Sequence, residues 1–167
     1  MAGVAQRWLR VSGSFVGRVG AYSAIIYCTA HCITEYALDF TECTGPSMQP
    51  TIEENDVVLT EHISTKFFNK VDKGDVVVLR SPMDPNQFLC KRVVGMEFDE
   101  VPGNSWKFLR TKNVPKGHIW IEGDNTANST DSREFGPVPL AMVRGRAILR
   151  VWPWRRRGYL ASCPTVR

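Results

Sequence analysis

The sequence lacks a complete set of paired cysteines, a histidine-rich cluster and acidic residues near its two ends. Its cysteines are Cys28, Cys32, Cys43, Cys90 and Cys163. An odd number at irregular spacing argues against a full disulfide framework. The segment Cys28-x-x-His31-Cys32 has the spacing of a metal-binding pair, but no second pair follows at a suitable distance. We therefore expect neither a metal ion nor another cofactor.

Acidic residues are missing from positions 1–34 and from positions 144–167. The C-terminal stretch holds seven arginines, so much of the net charge of +4 is concentrated there. A basic end of this kind suits anionic lipid, nucleic acid or a solvated surface. The length of 167 residues, with 43% hydrophobic and 23% charged residues, predicts one globular domain with a short appendage.

The N-terminal segment combines a basic leader with a weakly hydrophobic helix. Residues 19–34 carry no charged side chain, yet a helix of that length reaches only about 24 Å, short of the roughly 30 Å hydrocarbon core. A membrane-spanning helix, an interfacial helix, a targeting segment and a helix packed on the core all stay open. The basic leader favours a mitochondrial targeting segment or a membrane anchor. We assign residues 1–41 to this leader and the anchor helix.

Short runs of β-branched and aromatic residues dominate the rest of the chain. They lie at 57–59, 76–79, 88–94, 118–121 and 147–152. Turn-forming residues separate these runs, and the connections are too short for crossover helices, so the strands should pair mainly antiparallel. We predict a mainly β fold, with a compact antiparallel β domain over residues 42–155 and a short tail over 156–167.

Ser47 lies in a constrained turn, Gly45-Pro46-Ser47-Met48-Gln49-Pro50. Proline fixes φ and glycine accepts backbone angles that other residues avoid, so the hydroxyl is held in few orientations. A hydroxyl held in this way suits a nucleophile. An ordinary surface turn has the same composition, so this segment alone does not decide between the two.

Lys91 occupies an apolar position in a predicted strand. Period-two alternation places Leu89, Lys91 and Val93 on one face. Burial disfavours a charged amine, and lowering its pKa by about 3 from about 10.4 would leave a usable neutral fraction near pH 7. The alternative is a lysine at a strand edge with its ammonium in water. Other candidate bases are the histidines His31, His62 and His118.

A polar loop at residues 122–133 follows an apolar strand. A calcium loop starting at Asp124 fails, because Ser129 takes the position at which an EF-hand needs glycine. We expect the hydroxyl of Ser129 to order another side chain and Asp131 to form a bridge with Arg133. An Asx-rich turn without such a role is the alternative.

Four short segments occur in the same order as the sequence motifs of a known peptidase family. They are residues 45–51, 74–77, 91–95 and 123–133. Together they resemble signal peptidase I, and the resemblance covers about residues 40–155. The segment Cys90-Lys91-Arg92 is most similar to the mitochondrial branch of that family.

The resemblance implies a Ser-Lys dyad on an all-β fold. Ser47 would be the nucleophile, and Lys91 would be the general base and then the acid that protonates the leaving amine. The backbone N–H of Ser47 would stabilise the oxyanion. Some members of the family place a hydroxyl two residues before the nucleophile as a second donor. Gly45 stands there in this chain, so only its backbone is available.

The resemblance also implies supporting roles in the same site. Ser129 would hydrogen-bond to the catalytic lysine and orient it. Asp131 and Arg133 would form a structural ion pair. Arg92 would be the basic residue beside the base.

The activity implied by the resemblance is that of a membrane-bound serine endopeptidase that removes presequences from proteins delivered to the mitochondrial intermembrane space. The expected partners are presequence-bearing precursors, the mitochondrial inner membrane and a related second catalytic subunit in a heterodimer, but no nucleic acid. The catalytic domain would face the intermembrane space. Two alternatives are a LexA-like Ser-Lys self-cleaving protein and a non-enzymatic β-barrel adaptor for lipid or nucleic acid. The first is disfavoured because the sequence shows no N-terminal helix-turn-helix.

Overall fold

The structure is a computed structural model that describes residues 2–68, 70–102 and 111–160. The chain divides into two compact units, Met1–Ala37 and Leu38–Arg167. Cys163 and the end of the predicted tail at 156–167 lie outside the described residues. The domain boundaries expected from the sequence stay a prediction.

The first unit contains one continuous helix, α1 (Ala2–Tyr36). No proline interrupts this stretch, so every residue can take part in the helical hydrogen-bond ladder. From residue 17 to residue 36 the side chains are exposed, among them those of Tyr22, Ile25 and Ile26. Within the described part of the chain, no helix has a stretch long and apolar enough to cross a membrane.

The second unit is built mainly from strands. They are β1 (Leu38–Cys43), β2 (Asp56–Glu61), β3 (Val76–Arg80), β4 (Phe88–Gly95), β5 (Glu100–Pro102), β6 (Thr111–Asn113), β7 (His118–Glu122), β8 (Val138–Pro139), β9 (Val143–Trp152) and β10 (Gly158–Tyr159). The short helices are α2 (Ile63–Phe68) and α3 (Ser132–Phe135). Single 3-10 turns lie at Pro46–Met48, Leu140–Met142 and Trp154–Arg156.

Eight of these strands form one antiparallel sheet. Its order is β1-β2-β9-β3-β4-β7-β8, with β10 paired to β9, while β5 and β6 form a separate two-stranded sheet. Each apolar run predicted from the sequence lies in a strand of the large sheet. The prediction of a mainly β, antiparallel fold is therefore confirmed.

Apolar side chains pack on both faces of the large sheet. One cluster contains Val77, Leu79, Val93, Ile119 and Ile121, and the other contains Met48, Ile52, Val58, Val76 and Ala147. Residues that alternate along a strand point to opposite faces. On β4, Leu89 packs against the first cluster and Cys90 against the second. Lys91 therefore lies on the same face of β4 as Leu89.

Arginines of β9 form ion pairs within the second unit. Arg146 lies 3.2 Å from Glu61 and 3.3 Å from Asp75. Arg150 lies 3.4 Å from Asp56 and donates to the carbonyl oxygen of a neighbouring loop at 2.8 Å. Part of the basic character predicted for the C-terminal region is thus neutralised by acids of other elements.

Asp56 is the most deeply buried carboxylate in these pairs, with no solvent exposure. It accepts hydrogen bonds from Arg156 at 2.9 Å and from Arg150 at 3.4 Å, and the backbone N–H of Glu53 donates to it at 3.0 Å. Asp56 thus joins the start of β2 to β9 and to the turn that follows β9.

Replacing this carboxylate should destabilise the fold. We expect Asp56→Ala to lower the free energy of unfolding by about 3 kcal/mol, because it leaves two arginines without their shared partner. Urea denaturation of the purified chain measures the change. Glu54→Ala, at an exposed neighbouring position, is the control and should stay within about 0.5 kcal/mol of the unchanged chain. Equal stability of the two variants would contradict this account of the ion pairs.

Candidate active site

Ser47 lies in the 3-10 turn Pro46–Met48 that follows β1. Gly45 precedes the turn with φ of 93°, a backbone angle that glycine accepts far more readily than other residues. Met48, only 3% exposed, packs into the second apolar cluster and anchors the turn. The side chain of Ser47 is half-buried and lines a cavity.

Two hydrogen bonds from one asparagine hold the backbone of this turn. The backbone N–H of Asn125 donates to the carbonyl oxygen of Ser47 at 3.0 Å. The side-chain amide of Asn125 donates to the carbonyl oxygen of Pro46 at 3.1 Å. The polar loop after β7 is thereby fastened to the turn that carries the serine.

Lys91 is buried in the middle of β4, with 2% of its surface exposed. Its Nζ donates a hydrogen bond to Ser129 Oγ at 2.9 Å. Burial lowers the pKa of the Lys91 amine, and the negative charge of Asp131 opposes this only in part. The sequence-based expectation of a buried strand lysine with a lowered pKa agrees with this geometry.

Ser129 connects the lysine to a buried ion pair. Its hydroxyl donates to Asp131 Oδ2 at 2.7 Å while it accepts from Lys91. Asp131, with no solvent exposure, receives two hydrogen bonds from the guanidinium of Arg133, at 2.8 and 2.7 Å. Because the Ser129 hydroxyl donates its hydrogen to Asp131, its oxygen is oriented to accept a hydrogen bond from the Lys91 amine.

The ion pair keeps Asp131 charged. Burial alone would raise the pKa of this carboxyl, but hydrogen bonds from Arg133, from the backbone N–H of Gly123 and from Ser129 outweigh burial and lower the pKa to about 2. Asp131 therefore remains an acceptor for Ser129 at any pH at which the protein is expected to work.

The side chain of Arg92 lies on the opposite face of β4 from that of Lys91, because neighbouring residues of a strand point to opposite faces. Its guanidinium donates twice to Asp124, at 2.8 and 2.7 Å, and once to the carbonyl oxygen of Gly74 at 2.8 Å. Arg92 thus ties β4 to the start of the polar loop, and no hydrogen bond joins it to Lys91 among the described residues. Sequence reasoning did not single out Asp124 as its partner, although Asp124 stands in the motif that follows β7.

Gly123 is the point at which the serine turn and the loop approach most closely. A Cβ atom placed there would lie 2.2 Å from Ser129 Oγ and 2.5 Å from the carbonyl oxygen of Ser47. Both distances are far below van der Waals contact, so only glycine fits without a shift. Sequence reasoning missed this role as well. The signal for it was a glycine at the start of a loop rich in polar residues.

The cavity at Ser47 has a volume of about 720 Å³ and is also lined by Lys91. Its walls include residues of β1 and of the first half of β4. In the described structure β1 pairs only with β2, and β7 pairs with β4 only from Arg92 onwards. The outer edges of β1 and of Phe88–Lys91 therefore keep free backbone groups, a pattern that suits an added peptide strand.

The alternative bases and ligands do not converge on this cavity. His62 is buried and its Nδ1 contacts the carbonyl oxygen of Arg144 at 2.8 Å, and neither of the two histidines of the second unit, His62 and His118, lines the cavity. Across the described residues, no three His, Cys, Asp or Glu side chains come together as a metal site would require.

The sequence profile of a family described as signal peptidase, peptidase S26, matches residues 16–105 and 102–152. The chain belongs to the S26 signal peptidase family. It is therefore a hydrolase of the signal-peptidase type, and the family assignment favours the peptidase over the self-cleaving and adaptor alternatives.

Two named relatives of this S26 chain match most of its length, and a solved structure matches less than half of it. A Xenopus tropicalis protein named mitochondrial inner membrane protease subunit 1 is 47% identical over 95% of this chain and 95% of its own length. The Saccharomyces cerevisiae protein named mitochondrial inner membrane protease subunit 2 is 36% identical over 75% of each chain. The crystal structure of an Enterococcus faecalis signal peptidase I is 23% identical, with a TM-score of 0.38, over 46% of this chain and 96% of its own.

The close approach at Gly123 generates a prediction about activity in this S26 peptidase. We expect Gly123→Ala to lower kcat/KM for a presequence peptide by at least about 100-fold, because the added methyl group displaces Ser47 relative to Lys91. Gly158→Ala, where a Cβ atom would meet nothing within 4 Å, is the control and should cleave as the unchanged chain does. If both variants cleave equally well, the glycine has no positioning role.

Proposed function

We propose that this chain is a membrane serine endopeptidase of the mitochondrial inner membrane, with Ser47 as nucleophile and Lys91 as general base. One observation carries the proposal. Lys91 is buried, has a lowered pKa and lines the same cavity as Ser47. A buried lysine without a carboxylate partner is costly in a structural role but useful as a base.

The amine of Lys91 is held ready for proton transfer. Its Nζ donates one hydrogen to Ser129, and a neutral amine keeps one lone pair for accepting a proton. Because burial lowers the pKa of Lys91, a larger fraction of the amine is neutral near pH 7 than for a lysine in water. Ser129, Asp131 and Arg133 act as positioning residues for this amine, and Arg92 fixes the loop through Asp124.

The reaction follows from these positions in two halves. The neutral Lys91 amine removes the proton of Ser47 Oγ as the oxygen attacks the scissile carbonyl, and the resulting ammonium protonates the leaving amine. A water molecule then attacks the ester on Ser47, with Lys91 again accepting the proton, and the serine is restored. The backbone N–H of Ser47 stabilises the oxyanion, with the backbone at Gly45 as the second donor, and loss of such a donor costs about 3 kcal/mol.

The substrate binds as an added strand between the free edges of β1 and β4. Such pairing recognises an extended backbone, which suits presequences of differing composition. The cavity then receives the side chains next to the scissile bond. Residues 42–155 are the proposed catalytic domain, and residues 1–41 the leader and anchor.

Location and partners rest on the names of the relatives. Subunit 1 and subunit 2 proteins of the mitochondrial inner membrane protease are both similar to this chain. We infer that the chain works in a heterodimer with a related second subunit, faces the intermembrane space and acts on presequence-bearing precursors delivered there.

Single substitutions in the dyad test this function. We expect Ser47→Ala and Lys91→Met each to lower kcat for a presequence peptide by at least about a thousandfold. The alanine variant has no nucleophile, and the methionine variant has no base to activate the serine hydroxyl. The methionine keeps much of the lysine stem, so the fold should persist. Lys116→Met, at an exposed position, is the matched control and should keep full activity. Full cleavage by either dyad variant would disprove the assignment.

A further inference from the structure

Two cysteines contribute side chains to the walls of the cavity at Ser47. Cys43 is the last residue of β1, and Cys90 precedes Lys91 on β4. Both line the cavity, and Cys90 packs against the cluster that contains Cys43. Neither takes part in the proposed chemistry of the dyad. Both are free thiols.

The two thiols come from different strands that line the cavity, β1 and β4. β1 and β4 stand at the first and fifth positions of the sheet and share no backbone pairing. Cys90 nevertheless packs against the apolar cluster that contains Cys43, and both residues line the same cavity, so the sheet curls to bring the end of β1 towards β4 where a substrate strand would enter. A covalent bond between these two residues would tie together edges that no hydrogen-bond ladder joins.

The pair is also suited to thiol chemistry. A hydrogen bond from Cys90 lowers the pKa of Cys43, while the pKa of Cys90 is raised by that hydrogen bond and by burial. The thiolate is the nucleophile in disulfide exchange. Cys43 is thus the attacking thiol and Cys90 the resolving one.

We propose that Cys43 and Cys90 form a dithiol modification site, and that their oxidation by a small disulfide such as oxidised glutathione cross-links β1 to β4 and closes the peptide cleft. The proposal rests on the proposed function, since it takes the cavity as the substrate cleft. Reduction would reopen the cleft and restore peptide binding.

The thiol–disulfide exchange between the two cysteines and the small disulfide takes place in two steps. The Cys43 thiolate attacks one sulfur of the small disulfide, forms a mixed disulfide and releases a thiolate. Cys90 then loses its proton, which passes to a released thiolate, and its sulfur attacks Cys43 and expels the second thiolate. Two protein thiols are oxidised to one disulfide, and one small disulfide is reduced to two thiols.

The test uses the full chain with the other thiols removed by Cys28→Ser, Cys32→Ser and Cys163→Ser. After incubation with oxidised glutathione, peptide mapping should find the Cys43 and Cys90 peptides linked, with a mass lower by two hydrogens. A glutathione adduct on one cysteine without the cross-link would overturn the proposal. This readout does not depend on activity, so it stands even if the proposed function fails.

Closure of the cleft is measured separately, by binding of a fluorescent presequence peptide to the same chain carrying Ser47→Ala. We expect oxidation to weaken binding at least about tenfold and dithiothreitol to restore it. With Cys43→Ala added, the attacking thiol is missing, so each sample is compared with its own reduced form and oxidation should change nothing. Binding that survives the cross-link, or that is lost to the same extent in the Cys43→Ala chain, would refute closure.

Discussion

The structure of the site depends on one hydrogen bond, from the buried Lys91 amine to the hydroxyl of Ser129. An amine placed among apolar side chains would otherwise turn towards water, because its stem is long and flexible. Ser129 prevents this, and its own orientation is set by Asp131, which is held in turn by Arg133. The buried pair Asp131–Arg133 thereby fixes the position of an amine that must itself become neutral. A charged pair next to an amine of lowered pKa is possible because the charges of Asp131 and Arg133 largely compensate each other.

The fold provides this arrangement through the polar loop after β7. The loop contacts the serine turn through Asn125, contacts Lys91 through Ser129 and contacts β4 through Asp124 and Arg92. Gly123 lets these contacts occur in one place, since any side chain there would separate them. Core packing of Met48 and Ile52 holds the turn from the other side. Misplacement of any of these parts changes the distance between hydroxyl and amine, which is the quantity that catalysis needs most.

Much of the fold and part of the site could be predicted from the sequence. Apolar runs such as 76–79 identified the strands because both faces of the sheet are buried, and alternation around Lys91 identified its burial. β1 was missed because its sequence, Leu-Asp-Phe-Thr-Glu-Cys, mixes acids with apolar residues at an edge where one side is exposed. The roles of Gly123 and Asp124 could not be predicted, because they arise from contacts between segments far apart in the chain. The paired thiols of Cys43 and Cys90 depend on sheet curvature in the same way.

The central claim is that burial lowers the pKa of the Lys91 amine, so that more of it is neutral at working pH than for a lysine in water, and a direct titration tests it. The full chain, labelled with ¹⁵N at lysine side chains, is followed by NMR as pH rises, with Lys91→Met identifying the signal. The account predicts that Lys91 loses its proton below the value of about 10.4 for lysine in water. Because the neutral form is the base, peptide cleavage should rise with pH along the same curve. A Lys91 signal that titrates at or above the value of free lysine would contradict the account.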